Sequence, residues 1–398
     1  MKKLFYILAC VFPFSAFAQW DSLPSGTKNY LSSVHFTNAN IGYAVGDSGT
    51  ILKTINGGTN WIKESSGTKN ELNSVYFADA NIGYIVGDSG TILKTINAGL
   101  TWVALSSGTS VFLNSVSFPD TNIGYVAGEN GTILKTNNGG TTWTVESSGT
   151  DYWLSSLYFI NADTGYVVGN ASSFGNIILK TINGGSNWTV SLSGGFIYHF
   201  YSIFFTDANT GYVEGDVDIL KTINGGTNWD TITRGLTMPL NSVFFPNSDT
   251  GFTIGENGII LRTINAGTNW STLSSGTTDW LYSVYFVNSD TGYVVGDHGI
   301  ILKTTDGGGY PLGFPDLSSN HNTLNIHPNP STNFVTIETS ATPAQSQLSI
   351  INLCGQEILT RQITGSKTQI DISNLPSGVY FVRLTNDRTV EIGKVVKQ

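Results

Sequence analysis

Trp20, Trp61, Trp102, Trp143, Trp188, Trp229 and Trp270 recur at intervals of 41 residues, with one interval of 45. All but the first close the same phrase, of which Thr54-Ile55-Asn56-Gly57-Gly58-Thr59-Asn60-Trp61 is one copy. A unit of that length cannot bury its own apolar surface, so the copies must stack and the chain is an array.

Residues 72–106 show what one unit contains. Leu72 to Phe77, Gly83 to Gly87, Thr91 to Lys94 and Trp102 to Ser106 are short runs rich in β-branched and aromatic residues. Between them lie Ala78-Asp79-Ala80-Asn81, Asp88-Ser89-Gly90 and Asn97-Ala98-Gly99, residues that tolerate positive φ or bond their own backbone. Four strands joined by tight turns make an antiparallel meander. Gly-Tyr or Gly-Phe opens the second strand at Gly42, Gly83, Gly124, Gly165, Gly211, Gly251 and Gly292, which counts seven units. Four-stranded sheets repeated radially form a β-propeller, and helical signals are absent.

The ends distinguish a ring from an open solenoid. The last unit reaches Gly292 to Thr304 and then degenerates at Asp306-Gly307-Gly308-Gly309-Tyr310-Pro311, without a tryptophan strand. Trp20 to Thr27 is a tryptophan strand with no unit before it. The two halves complete one blade, which predicts an all-β, seven-bladed propeller over 19–312 closed by the N-terminal strand, leaving no exposed edge.

The Thr-x-Asn-x-Gly-x-Asn-Trp phrase resembles the Asp-box, or bacterial neuraminidase repeat. Asn56, Asn97, Asn138, Asn183, Asn224 and Asn265 stand where aspartate is usual, and only Asp306 keeps the acid. With Phe77 to Thr95, the repeat is most similar to the propellers of photosystem II stability and assembly factors. The box reads as a turn stabiliser: Thr and Asn side chains bond the turn backbone, glycine takes the positive-φ position, and tryptophan packs between blades. By resemblance the boxes lie away from the functional face and have no binding role.

A first strand lining the central channel places the second-to-third and fourth-to-first connections on one face, termed the top. The residue before each first strand varies around the ring: Tyr30, Glu71, Phe112, Trp153, His199, Pro239 and Trp280. Two readings are open for the aromatics there. They stack on sugar rings or an extended peptide, offering rigid area at low entropy cost, or they lid the channel and fill gaps between blades. The ligand-facing candidates are Tyr30, Phe112, Trp153, Tyr198, His199 and Trp280. Six second-to-third turns carry an acid, Asp47, Asp88, Glu129, Asp216, Glu256 and Asp297, with Asn170 in the fourth unit, a ring of charge expected on the outer top face. Blade four lengthens that turn, Asn170 to Asn176, and its following connection, Gly194 to Tyr198, is enlarged. Insertions on a regular scaffold are where function tends to be grafted.

Catalytic constellations are mostly excluded. Residues 20–310 contain only Arg234 and Arg262, too few for the arginine cluster a sialidase needs, and Arg262 falls where other copies have lysine. Asp-box xyloglucanases resemble the repeat but use two propellers around a cleft and a carboxylate pair flanking the bond. His35, His199 and His298 are isolated in sequence, so no metal site, cofactor or catalytic residue is assigned. The glycine pairs precede strands, which rules out a phosphate loop. The formal charge of −9 argues against nucleic acid or an anionic membrane as partner.

Met1 to Ala18 carries Lys2, Lys3, an apolar run and Ala16-Phe17-Ala18, the layout of a signal peptide for Sec export to the periplasm. No transmembrane segment is expected. Its removal leaves Cys354 alone, so stability must come from burial without an intramolecular disulfide. After a linker at 313–323, residues 324–398 carry His327-Pro328-Asn329-Pro330, Leu375-Pro376-Ser377-Gly378 and a Lys394 to Gln398 end. These closely resemble the type A C-terminal sorting domain of the type IX secretion system. The resemblance implies a small β-sandwich read by the outer-membrane translocon. The expected protein is secreted or displayed on the outer cell surface: a non-catalytic binding or adhesion propeller for an extracellular glycan or protein. The alternatives are a glycoside hydrolase-like enzyme using top-face acids, and an assembly or scaffolding factor for surface proteins.

Overall fold

The computed structural model describes residues 20–171, 175–193, 199–216, 218–233, 238–309, 324–338, 346–352, 357–363, 365–385 and 390–398. The expected signal peptide and linker, Tyr198, Arg234 and Cys354 lie outside these residues. Contacts divide the chain into two compact units, 1–312 and 313–398.

The first unit contains seven four-stranded antiparallel sheets. In blade two the strands are Leu72–Phe77, Gly83–Gly87, Thr91–Thr95 and Val103–Leu105, in sequence order across the sheet. In the last blade Asp21–Leu23 pairs antiparallel with Ile301–Thr304, Ser22 opposite Leu302, so the N-terminal strand supplies the missing outer strand. First strands of successive blades contact one another all the way round, including the first with the last, and therefore line the central axis. Second strands are sandwiched by neighbours in their own sheet and by adjacent blades. Gly42–Gly46 and its copies are accordingly buried along their whole length and read as apolar runs, broken only by Glu214 in blade five and Thr253 in blade six.

Each seam between blades is built from three rings, a tyrosine (Phe252 in blade six), a phenylalanine and a tryptophan. Tyr43 stacks on Phe77 of the next blade at 4.1 Å, and Trp102 meets Phe77 edge-on at 5.9 Å. The closing seams use the same geometry, Tyr293 on Phe36 at 3.9 Å and Trp20 against Phe286 at 5.9 Å. Such pairs add about 0.5–1.5 kcal/mol beyond their buried area. The orphan tryptophan strand of the sequence thus occupies a position equivalent to the six internal ones.

A second set of contacts ties each blade to the next box turn. Lys94 Nζ and the Tyr84 hydroxyl both donate to the Gly139 carbonyl, at 2.6 and 2.9 Å. Lys303 and Tyr293 repeat this on Gly57 across the closing seam. Where Phe252 lacks the hydroxyl, Arg262 replaces the lysine and donates to Gly309 at 2.7 Å. Serines link the first strands: the Val75 N–H donates to Ser33 Oγ, and the Val34 N–H to Ser283 Oγ, each at 3.2 Å.

The Asp-box behaves as a turn stabiliser. Thr54 Oγ1 accepts the Gly58 N–H at 2.9 Å and Asn56 Oδ1 accepts the Asn60 N–H at 3.0 Å, with Gly57 and Gly58 at φ of 63° and 84°. Asn does here what Asp does elsewhere because only a side-chain oxygen acceptor is required.

The second unit has a three-stranded and a four-stranded sheet. Val335, Ile337, Leu348, Ile350, Val382 and Val395 form its core. The His327 to Ser331 segment holds the C-terminal strand. Asn329 donates to the Lys394 carbonyl at 2.7 Å and accepts the Val396 N–H at 2.8 Å, while Ser331 pairs with Val396 and Gln398 through its backbone.

Candidate recognition face

The variable pre-strand residues and the turn acids form one ring. The backbone N–H of Asp47 donates to the Tyr30 carbonyl at 3.1 Å, and Asp88 to Glu71, Glu129 to Phe112, Asp216 to His199, Glu256 to Pro239 and Asp297 to Trp280 follow the same pattern. In blade four Trp153 lies opposite Asn170 in register. This close approach explains the glycine ending each second strand: a Cβ on Gly46 would lie 2.0 Å from the Tyr30 carbonyl oxygen.

Every first strand carries a β-bulge just inside this rim, at Ser32, Asn73, Asn114, Ser155, Tyr201, Asn241 and Tyr282. A bulge re-aims its side chain. Asn73, Asn114 and Asn241 use that freedom to donate to the next blade, at Leu113, Leu154 and Leu281 carbonyls. Tyr201 and Tyr282 instead donate to Asp216 and Asp297 of their own blades, at 2.8 and 3.0 Å. The turn acids expected on the outer top face are therefore partly drawn inward, Asp88 likewise accepting from Asn73 at 3.1 Å.

The sequence candidates fall into distinct surroundings. Phe112, Trp153 and Trp280 are 37%, 44% and 43% exposed, and Phe112 leans on Trp153 at 6.0 Å. Tyr30 packs edge-on against Tyr282 at 5.9 Å. Burial, then its hydroxyl's bond to Glu71, pushes the Tyr30 phenol up. Burial also raises Glu71, with Tyr30 opposing and Asp88 and Asp47 reinforcing the shift. His199 Nδ1 lies 3.1 Å from Asp216 Oδ2, and His298 Nδ1 the same distance from Asp279 Oδ1, so neither histidine is isolated as the sequence implied. Asn170 is a buried clasp, bonding the Phe200 carbonyl and N–H at 2.8 and 2.6 Å. Both atoms of its amide are thus used in the join to blade five.

Lysine and arginine are scarce on this face. The described top connections contain only Lys28 and Lys69, because seven other cations hold box-turn carbonyls at the opposite end of the blades. A groove of 770 Å³ beside Glu256, Asn257 and Thr277 has a counterpart of 670 Å³ beside Gly90 and Thr109, so it belongs to the repeat. Among the described residues no group of three or more His, Cys, Asp or Glu is arranged to hold a metal ion, and no helix is long and apolar enough to cross a membrane.

His35, Tyr76, Tyr158, Phe204, Phe244 and Tyr285 ring the axis toward the far end, with neighbouring centroids such as Phe204 and Phe244 5.1 Å apart and Ser117 interrupting the circle. Burial there pulls the His35 imidazole down to about 4 and keeps it neutral. The signal of this ring in the sequence is the aromatic recurring as the fifth residue of the first strand.

Radial four-stranded sheets with box turns define an Asp-box β-propeller. Residues 13–110, 105–195 and 196–278 match the photosynthesis system II assembly factor YCF48 family, and the chain belongs to that family. Residues 325–398 match the secretion system C-terminal sorting domain, which directs the protein through the type IX system to secretion or the cell surface. No curated protein matches. Among solved structures, YCF48 bound to D1 peptide is 18% identical, covering 73% of this chain and 96% of its own, at a TM-score of 0.62. YCF48 from Cyanidioschyzon merolae is 20% identical over 72% and 98%, at 0.59. PorZ, a surface component of the type IX system of Porphyromonas gingivalis, is 11% identical over 90% of this chain and 58% of its own, at 0.55. These identities establish the shared fold.

Proposed function

We propose that this exported propeller is a non-catalytic recognition module whose top rim binds an extracellular glycan or protein segment. The observation that carries the reading is the exposure of Phe112, Trp153 and Trp280 on a scaffold that otherwise repeats. Exposed aromatics at a rim offer flat area for sugar rings or extended peptide. The rim carboxylates, with few compensating cations, favour neutral or basic ligands over anionic ones. Recognition rather than turnover is supported by the engagement of Asp88, Asp216 and Asp297 as acceptors for Asn73, Tyr201 and Tyr282. The peptide-bound state of one structural neighbour is in keeping with a peptide-sized ligand.

Glycan and peptide arrays probed with the purified exported protein test this. Trp153→Ala and Trp280→Ala are expected to weaken binding at least tenfold, equivalent to about 1.4 kcal/mol, with the fold retained. Binding unchanged in both variants would make the aromatics packing elements. Polysaccharide turnover abolished by changing a rim acid would instead establish an enzyme.

A further inference from the structure

The blades are so regular that two polar side chains facing each other across one seam stand out. The fourth residue of the second strand is Val45, Val86, Ala127, Val168, Ile254 or Val295 in six blades and Glu214 in blade five. The third residue is aliphatic in six blades and Thr253 in blade six. Glu214 and Thr253 are both 0% exposed, and the Thr253 hydroxyl donates to Glu214 Oε2. Glu214 Oε1 is buried without any partner.

Among the described residues no cation is placed to neutralise a carboxylate at this point. In its own sheet Glu214 lies opposite Ser202 and Ile219. Tyr201 of the neighbouring first strand is committed to Asp216, and Tyr212 and Lys221 both bond the Ala266 carbonyl. Across the seam, Leu240–Phe244 and Gly251–Gly255 contain no ionisable residue, and Arg262 of the third strand bonds Gly309. The turns that follow the two second strands bring Asp216 and Glu256, which carry the same sign as an ionised Glu214. Burying an unpaired carboxylate is far more costly than burying the neutral acid.

We propose that the seam between blades five and six is a proton-dependent closure, sealed by neutral Glu214 and loosened first in the ring when that acid ionises. Burial holds the Glu214 carboxyl well above the usual range, and the Thr253 hydrogen bond only partly opposes this. The folded chain then keeps a proton that the unfolded chain has released. The resulting stability is complete below the ordinary carboxylate range and is lost as pH rises toward the folded titration point. Within that window the folding equilibrium constant falls tenfold per pH unit. The seam continues into the rim at His199, Tyr201 and Asp216, so its loosening is felt at the top face. The inference stands whether or not that face binds a ligand.

All nine tryptophans lie before residue 281, so their fluorescence in the full exported chain reports the propeller alone. Urea unfolding from pH 5 to pH 9 is compared for the native chain and Glu214→Gln, which keeps the shape but cannot ionise. The native folding constant is expected to fall relative to the variant by up to tenfold per pH unit across the window. A ratio that stays constant with pH overturns the proposal. Thr253→Val removes the one donor that favours the ionised acid, and is expected to extend the window to higher pH. A window shifted to lower pH counts against the assignment. Amide exchange at pH 8 provides the local readout: protection should fall first in 211–215 and 251–255 relative to 83–87, and a uniform loss around the ring overturns the seam as the site.

Discussion

At the residue scale the repeat is a set of paired commitments across each seam. Lys94 and Tyr84 converge on one carbonyl, and the Lys94 Nζ sits 5.5 Å from the Tyr84 ring centre, so neither cation nor hydroxyl is free for a ligand. Tyr84→Phe leaves Lys94 in place and is expected to cost about 1 kcal/mol. The native Phe252 and Arg262 pair shows how a missing hydroxyl is accommodated. Lys94→Met in the Tyr84→Phe background strips the Gly139 carbonyl of both donors, and should cost about 1–3 kcal/mol more. Urea unfolding followed by tryptophan fluorescence measures both; a double variant no worse than Tyr84→Phe alone would show the lysine contact to be idle. In the sequence these residues stand as recurring words, Gly-Tyr and Leu-Lys-Thr in six of the seven blades, with nothing to say that they meet a neighbouring blade. Long-range partners such as Tyr293 and Gly57, at opposite ends of the ring's chain, carry no local signal.

At the element scale, strand count and order were legible because turn formers and glycines punctuate every unit at fixed offsets. The bulges were not. Ser32, Asn73 and Tyr201 read as ordinary outward positions in an alternating strand, and only coordinates show two residues opposing one. The consequence shows at the rim acids, where the bulged Tyr201 and Tyr282 donate to Asp216 and Asp297 of their own blades, contacts that strict alternation along the strand does not announce. In the sorting domain, the His-Pro-Asn-Pro words were visible, but their pairing with the last strand was not. Asn329 completes an edge that a proline-flanked backbone cannot ladder, since proline has no N–H to give. Asn329→Ala removes two bonds to the C-terminal strand, and about 1 kcal/mol of local stability is expected to go with them. Faster amide exchange at Val396 than at Val382 is the diagnostic outcome; unchanged exchange at Val396 would mean that the Ser331 backbone pairing suffices.

For the whole molecule, closure is a matter of which seam the chain ends happen to occupy. The seam made by Trp20 and Phe286 repeats the rings of the six covalently continuous ones, and Gly308 lies where Gly58 lies in blade one. Aligning the box phrases puts Tyr310 at the position of Asn60, immediately before the tryptophan. Joining Tyr310 directly to Trp20 therefore completes an uninterrupted box of native length. New ends opened beside the exposed Gly67, between the outer strand of blade one and the first strand of blade two, interrupt no strand. Exposed loop tips of this kind tolerate new termini. The permuted propeller is expected to unfold in one cooperative transition, its denaturant midpoint close to that of the native ring, because every seam keeps its native stacked and edge-on rings and its native bonds to the box turn. The opening leaves all four strands of every blade contiguous in the chain, so the ring closes without the end-to-end strand pairing that Asp21–Leu23 supplies in the native order. A permutant that collapses or unfolds in separate steps would show that the native seam contributes something the other six do not, and equivalence of the seven blades would have to be abandoned.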